Sequence, residues 1–315
     1  MKYVQLGETG LTVSRICFGA LTIGPLQANL KLHRGAEIIK YALDAGINFI
    51  DTAEIYGTYP YIREAVNGRR EQVIIASKSY AYSREGMQKS LEKALQALAT
   101  DYLDIFLLHE QETVMTLAGH RPALEYLLEA KKQGLVRAVG ISSHSVEAVA
   151  AAAKMPEIDV IHPLLNMRGI GIINGTLEEM VAAVKSAYDQ GKGIYSMKPL
   201  GGGNLLLEAE KALQYAFSLD FVHAVAIGMQ SRAEVDYNVA VLKGMSPDPM
   251  VRNKVRKQKR RLHIEEWCQG CGRCVDRCSA QALTLVNGRA VVDDNLCRLC
   301  GYCAAVCSQF CIKVI

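Results

Sequence analysis

Nine of the ten cysteines in this 315-residue chain lie between Cys268 and Cys311, and only Cys17 stands apart. That clustering constrains the fold more than any other feature. It separates a long cysteine-poor part from a short segment that needs cross-links or metal to hold its shape. Within the segment, Cys268-x2-Cys271-x2-Cys274-x3-Cys278 is followed after 18 residues by Cys297-x2-Cys300-x2-Cys303-x3-Cys307, two copies of one spacing. Disulfides would suit a small secreted domain, but the start MKYVQLGETG carries no apolar signal core and no small-residue cleavage pattern. A cytoplasmic setting and metal ligation are therefore expected. Soft thiolates at this spacing can wrap three corners of a cubane, with the fourth cysteine of each run reaching the other cluster. Four-cysteine sites also bind zinc, yet the repeated x2, x2, x3 spacing favours iron. Gly272 and Gly301 sit inside the binding loops, where backbone amides can approach sulfur. Cys311 reads as a packed spare, and Cys17 as a small buried hydrophobe.

The remainder is rich enough in apolar residues to bury a core, since 50% of the chain is hydrophobic and 22% charged. Intrinsic disorder is excluded. No apolar window reaches the roughly 20 residues a membrane helix needs. A net charge of +4 argues neither for nucleic acid nor for membrane.

From Ile16 to about Ala226, short β-branched runs alternate with helical periodicity. Eight strands are predicted: Ile16–Gly19, Asn48–Asp51, Val73–Lys78, Tyr102–Leu108, Val136–Ile141, Asp159–His162, Gly193–Met197 and Phe221–Ile227. Helices such as Arg84–Leu98 and Arg121–Gln133 lie between them. Eight β/α units predict a (β/α)8 TIM barrel; the competing doubly wound sheet is disfavoured by regular spacing and by the lack of an early G-x-G-x-x-G. Tyr3–Gly7 and Leu11–Ser14 read as a hairpin plugging the barrel floor. The domain division is 1–245 for the barrel, 246–263 for a basic linker, and 264–315 for a small α+β iron-sulfur domain.

Chemistry in such barrels sits where strands end, and four polar residues fall there. Asp51 ends the second strand, Tyr56 lies in its loop, Lys78 ends the third strand and His109 follows the fourth. Singly, each has an ordinary structural role as a cap, a snorkelling amine, a packed ring or a rim histidine. Together they form a proton-donating site in which an ammonium makes a phenol more acidic and Asp51 holds Lys78 in place. The loops after strands seven and eight suit phosphate: Gly201, Gly202 and Gly203 permit close approach, and Ser231-Arg-Ala-Glu234 reads as a capping box. Arg232 is placed to meet an adenosine 2′-phosphate.

Asp51-Thr-Ala-Glu-Ile-Tyr-Gly, the strand-ending Lys78 and Leu107-Leu108-His109 resemble the signature of the aldo-keto reductases. The likeness covers roughly residues 1–240, through Leu6-Gly-Glu-Thr-Gly-Leu-Thr-Val-Ser and Lys198-Pro-Leu-Gly-Gly-Gly. It implies a (β/α)8 barrel using NADPH, with Tyr56 protonating a carbonyl oxygen, Lys78 lowering its pKa, Asp51 pairing with Lys78 and His109 orienting the substrate. It also implies nicotinamide or substrate neighbours at Ser142, Ser143 and Asn166, and cofactor contacts at Gly19, Lys198, Pro199, Leu200, Gln230, Glu234 and Asn238. The chain departs from the family where Asn after the strand-five Ser, Gln on strand six and a stacking aromatic on strand seven are usual. Those places hold Ser143, His162 and Met197. Tyr59-Pro-Tyr-Ile-Arg63 and Met167-Arg-Gly-Ile-Gly-Ile are expected to shape the substrate pocket.

The cysteine runs resemble two-cluster bacterial ferredoxins over about Ile264–Ile315. That likeness assigns Cys268, Cys271, Cys274 and Cys307 to one 4Fe-4S cluster and Cys278, Cys297, Cys300 and Cys303 to the other. Ser279 and Ser308 replace the pattern's prolines. Ahead of it, seven of the ten residues Arg252–Arg261 are basic. This run reads as a solvated helix face; docking of an acidic, ferredoxin-type redox partner is more plausible than nucleic acid, for which aromatic interleaving is missing.

Three functions remain open. An oxidoreductase could couple carbonyl or enone reduction to electrons passing through two clusters. One-electron clusters and a hydride carrier exchange poorly without a flavin, which the strand-seven and strand-eight loops could also bind. Alternatively, the chain is an NADPH-dependent carbonyl reductase with structural or redox-sensing clusters. The third reading is an inactive redox-sensing binding protein. His33, His120, His144, His223 and His263 show no ligand spacing and receive no role.

Overall fold

The computed structural model describes residues 1–315. Strands β1 (Tyr3–Gln5) and β2 (Thr12–Ser14) pair antiparallel as the expected hairpin. Leu6, Leu11 and Val13 from this hairpin join Phe49, Ile105 and Tyr195 in the core enclosed by the barrel. The hairpin thus seals the end where the strands begin, and Leu6 lies directly against Gly193.

Eight strands then close a parallel barrel: β3 (Ile16–Gly19), β4 (Phe49–Asp51), β5 (Ile74–Ser79), β6 (Leu103–Leu108), β7 (Val136–Ser143), β8 (Val160–Pro163), β9 (Gly193–Met197) and β10 (Ala224–Gly228). Neighbours follow chain order, with β10 returning to β3. Buried on both faces, these strands read as apolar runs rather than as alternations. Where β7 meets β8, a Cβ on Gly140 would lie 1.8 Å from the Val160 carbonyl oxygen, so only glycine fits.

The helices wrap the barrel with apolar stripes inward. In Arg84–Leu98, Met87, Leu91, Ala94 and Leu98 are buried at three- and four-residue spacing. Ser83 caps it by accepting a hydrogen bond from the Gly86 amide, and Ala99 ends it in the left-handed region at φ 52°. No helix is long and apolar enough to cross a membrane.

Three expectations are corrected here. β7 runs through Ser142 and Ser143, which lie on the strand rather than after it. β10 starts at Ala224, because Phe221 and Val222 are buried in the preceding turn. Ser231 caps its helix by accepting from the Glu234 amide, but the Glu234 carboxylate takes the Gln230 amide instead of closing a reciprocal box.

After the barrel, helix Pro249–Arg256 carries part of the basic run. Its Arg252 donates to Glu210, so this face is partly engaged with the barrel's helices. In the cysteine segment, β11 (Leu262–Ile264) pairs with β14 (Ile312–Val314), and β12 (Leu283–Val286) pairs with β13 (Arg289–Val292) across the left-handed Asn287 and Gly288. A five-residue helix, Arg273–Arg277, completes it. The segment shares one apolar cluster with the barrel mouth: Cys274, Cys303, Phe310, Ile312 and Val314 pack with Leu164, Ile170, Met197 and Leu205.

Candidate active site

Asp51, Lys78 and His109 are brought together by adjacent strands β4, β5 and β6, and Tyr56 by the 3-10 turn Glu54–Tyr56 that follows β4. The Lys78 Nζ donates to Asp51 Oδ2 at 2.8 Å and to the Thr52 carbonyl at 2.8 Å. It lies 4.8 Å from the centre of the Tyr56 ring. The Tyr56 and His109 rings meet edge to face at 5.8 Å, and Tyr80 stacks on His109 at 4.2 Å. The four residues read from the sequence therefore form one site.

Asp51 has a second set of partners that sequence reasoning missed. Tyr195, from β9, donates to Asp51 Oδ1 at 3.0 Å and stacks on His162 at 3.9 Å. His162 Nδ1 lies 2.6 Å from the Tyr195 carbonyl, and its Nε2 is 3.6 Å from Asp51 Oδ1. Two rings thus brace the carboxylate that pairs with Lys78. The period-two alternation of Gly193–Met197 does place Tyr195 on the inner face, but only the closed barrel brings it to Asp51.

Burial sets the protonation states. It pushes the Tyr56 phenol well up, reinforced by the Asp51 and Glu110 charges. Lys78 Nζ, 4.8 Å from the ring centre, is itself taken up by Asp51 and the Thr52 carbonyl. Tyr56 is consequently protonated and able to donate. Burial, and then the Lys78 charge, hold His109 well below the usual imidazole range, so the ring is neutral. Its Nδ1 is buried without a hydrogen-bond partner. His162 is pushed down to about 4 by burial, against the pull of Asp51.

The remaining expected positions divide by what already occupies them. Ser142 Oγ accepts from the Glu110 amide and Ser143 Oγ donates to the Gln111 carbonyl, so both tie down the loop after β6. Asn166 spends its amide on Arg168 and Ile170 within its own loop. Gly19 abuts the β10 backbone at Ile227 and Gly228. Met197 is buried in the cluster shared with the cysteine segment. Lys198 holds φ at 58°, and Pro199 and Leu200 lead into the glycine loop.

That loop is filled by the chain itself. A Cβ on Gly203 would lie 2.2 Å from the Val314 carbonyl oxygen, and one on Gly202 would lie 2.9 Å from Lys313 and 3.1 Å from Phe310. Gly201 faces Leu205 and Ile170. The Val314 amide donates to the Gly202 carbonyl at 2.9 Å, and Asn204 donates to the Ile312 carbonyl at 3.0 Å. At the other loop, Gln258 donates to Gln230 at 3.1 Å and Arg260 donates to Glu234 at 2.6 Å, while Asn238 is buried. Ser231 and Arg232 line an open groove of about 700 Å³ with Arg34, Tyr41, Lys254 and Lys257. As folded, the glycine loop packs against Phe310, Lys313 and Val314.

Phe310, Lys313, Glu110 and His144 complete the mouth, and no local signal in the sequence points to them. The Phe310 ring lies 5.0 Å from Lys198 Nζ and 5.6 Å from His144, edge to face. Burial would raise the Glu110 carboxyl, but the Lys198 charge foremost, with the Tyr80 hydrogen bond, brings Glu110 below the usual range.

The cysteine segment brings Cys274 near Cys268 and Cys307, and Cys303 near Cys300, Cys297 and Cys274. The Cys274 thiol is raised by burial and by neighbouring Cys268 and Cys307, and Cys303 is pushed up to about 12 by burial, Cys300 and Cys297. Burial would also raise Cys268, but the Ala290 and Gly270 amides outweigh it and bring it down. The Ala282 amide points at Cys278 Sγ from 3.3 Å. Cys311 lies with Cys307, Sγ to Sγ 3.3 Å. All ten cysteines are unpaired. No three His, Cys, Asp or Glu side chains converge on a single ion. A four-iron cluster spreads its thiolates over separate metal atoms and does not require that convergence. This donor set, with amides directed at sulfur, fits such clusters.

Comparison with known proteins agrees with the barrel site. The family model "Aldo/keto reductase family" matches residues 15–211, more than half of the chain. L-galactose dehydrogenase from Arabidopsis thaliana is 26% identical over 284 residues, covering 75% of this chain and 86% of that protein. The 6-dehydroglucose reductase of Novosphingobium aromaticivorans is 29% identical over 232 residues, covering 64% and 69%. Among solved structures, the holo form of aldo-keto reductase AKR11C1 from Bacillus halodurans superposes with a TM-score of 0.63 at 25% identity, covering 82% of this chain and 96% of that one. NADP(H) is the cofactor typical of such reductases. Barrel, tetrad and these matches agree: the chain is an oxidoreductase and belongs to the aldo/keto reductase family.

Proposed function

We propose that this protein reduces the carbonyl group, or the enone, of a small molecule, with Tyr56 delivering the proton and with electrons supplied through two 4Fe-4S clusters. The observation that carries the reading is the 2.8 Å pair of Lys78 and Asp51 beneath the Tyr56 ring, with neutral His109 beside it. A carbonyl oxygen between Tyr56 and His109 meets two neutral donors. As it gains negative charge it becomes more basic than the phenol, and the Tyr56 proton moves to it. Lys78 is held in place by Asp51, and Tyr195 and His162 fix the Asp51 carboxylate. Tyr80 stacked on His109 sets the imidazole plane.

Cys268, Cys271, Cys274 and Cys307 would hold one cluster and Cys278, Cys297, Cys300 and Cys303 the other; when bound, they supply one-electron transfer. A ferredoxin-type protein is the partner of matching chemistry, and unpaired thiols suit a reducing cytoplasm. NADPH-driven reduction with structural clusters is the second reading, favoured by family membership.

The test is Tyr56→Phe in anaerobically reconstituted protein, assayed on a carbonyl panel with reduced methyl viologen and with NADPH as donors. Turnover should fall by roughly 10²–10⁴-fold, the usual contribution of a general acid. The visible iron-sulfur absorbance should be unchanged. Full activity in the variant would overturn the acid assignment.

A further inference from the structure

We propose that the segment Phe310–Val314 takes the place of the nicotinamide nucleotide, so that the barrel excludes NADPH and accepts electrons singly from a low-potential one-electron carrier. This rests on the carbonyl-reducing reading above. It begins from the two loops a dinucleotide would need. The Gly202 carbonyl is bonded to the Val314 amide, and the Val314 carbonyl oxygen lies 2.2 Å from where a Cβ on Gly203 would stand. A pyrophosphate there would have to break that bond and lift β14 from β11, exposing Phe310, Ile312 and Val314, each less than a tenth exposed. At the second loop, Arg260 and Gln258 already occupy Glu234 and Gln230. The Ser231 and Arg232 groove stays open, enough for one end of a nucleotide.

The filling segment is also a piece of the cysteine domain that reaches the barrel mouth. Phe310 follows Cys307 by one turn, its amide donating to the Cys307 carbonyl at 3.2 Å. Its ring packs on Lys198 and His144 at the barrel mouth. The glycine loop that would meet the nucleotide phosphates is thus held by residues that follow Cys307 closely in the chain. The chemistry balances without a hydride: the carbonyl C=O takes two electrons and two protons to become CH–OH. Two equivalents of the one-electron carrier are oxidised, one proton comes from Tyr56 and one from solvent.

The experiment titrates the reconstituted holoenzyme with NADPH and with NADH to roughly 1 mM, the top of the ordinary KM range. Nicotinamide fluorescence and amide hydrogen exchange over residues 198–205 and 310–315 are followed together. The expected result is no saturable fluorescence change and no change in exchange, while reduced methyl viologen drives carbonyl reduction. Saturable binding of either nucleotide that protects residues 198–205 overturns the proposal, and so does turnover with NADPH, which would leave the carbonyl-reducing reading intact. If both nucleotides are excluded and no donor reduces any carbonyl, the function reading fails instead and the exclusion stands.

Discussion

His162 shows how one residue ties stability to the site. The family usually carries Gln at its place on the strand; here an imidazole is 1% exposed, stacked on Tyr195 and 3.6 Å from Asp51. With its pKa pushed from 6.5 to about 4, the folded protein refuses a proton that the unfolded chain accepts. Stability is therefore whole above pH 6.5, is lost as pH falls through that value, and levels off below about pH 4. The size is on the order of 3 kcal/mol. Urea unfolding of the wild type and of His162→Gln from pH 4 to 7 should give a shallower slope in the variant. His109 and His144 are held low as well, so a slope remains in both proteins and the difference between them is the quantity to read. Parallel curves would show that His162 is not buried neutral. The tetrad beside it was legible because polar groups closing apolar strands are costly to bury unless they serve one another. Tyr195 was not, because a tyrosine in an apolar strand looks like core until the barrel closes.

At the scale of elements, helix Arg84–Leu98 was legible to the residue because three signals agree: the Ser83 cap, the apolar spacing and the polar face. Ser83→Ala removes the bond to the Gly86 amide and should cost about 1 kcal/mol, read as a lower urea midpoint at unchanged m. A midpoint equal to wild type would mean the cap contributes nothing. Strand ends were less legible. β7 outruns its apolar stretch because Ser142 and Ser143 satisfy their hydroxyls on the loop after β6, a long-range compensation absent from local pattern. The Ser231 box failed similarly, since Arg260 from the linker draws on the same Glu234.

For the whole molecule, the cysteine density drew the boundary in the sequence, yet the structure joins both sides into one apolar cluster. What no spacing could reveal is that β14 docks on the glycine loop, because a docking surface depends on atoms far apart in sequence. Phe310, 4% exposed, is the centre of that joint. Phe310→Ala should cost about 3–5 kcal/mol. In the wild type, thermal loss of barrel circular dichroism and the change in fluorescence of Trp267, the single tryptophan, should coincide, whereas two separate transitions would mean two independent units. The position of β14 also sets an order of assembly. The strand that closes the mouth lies far downstream of β10, and domains form as synthesis proceeds. The barrel can thus be complete while its mouth still lies open, and the mouth is walled in only once Phe310–Val314 has docked on the glycine loop.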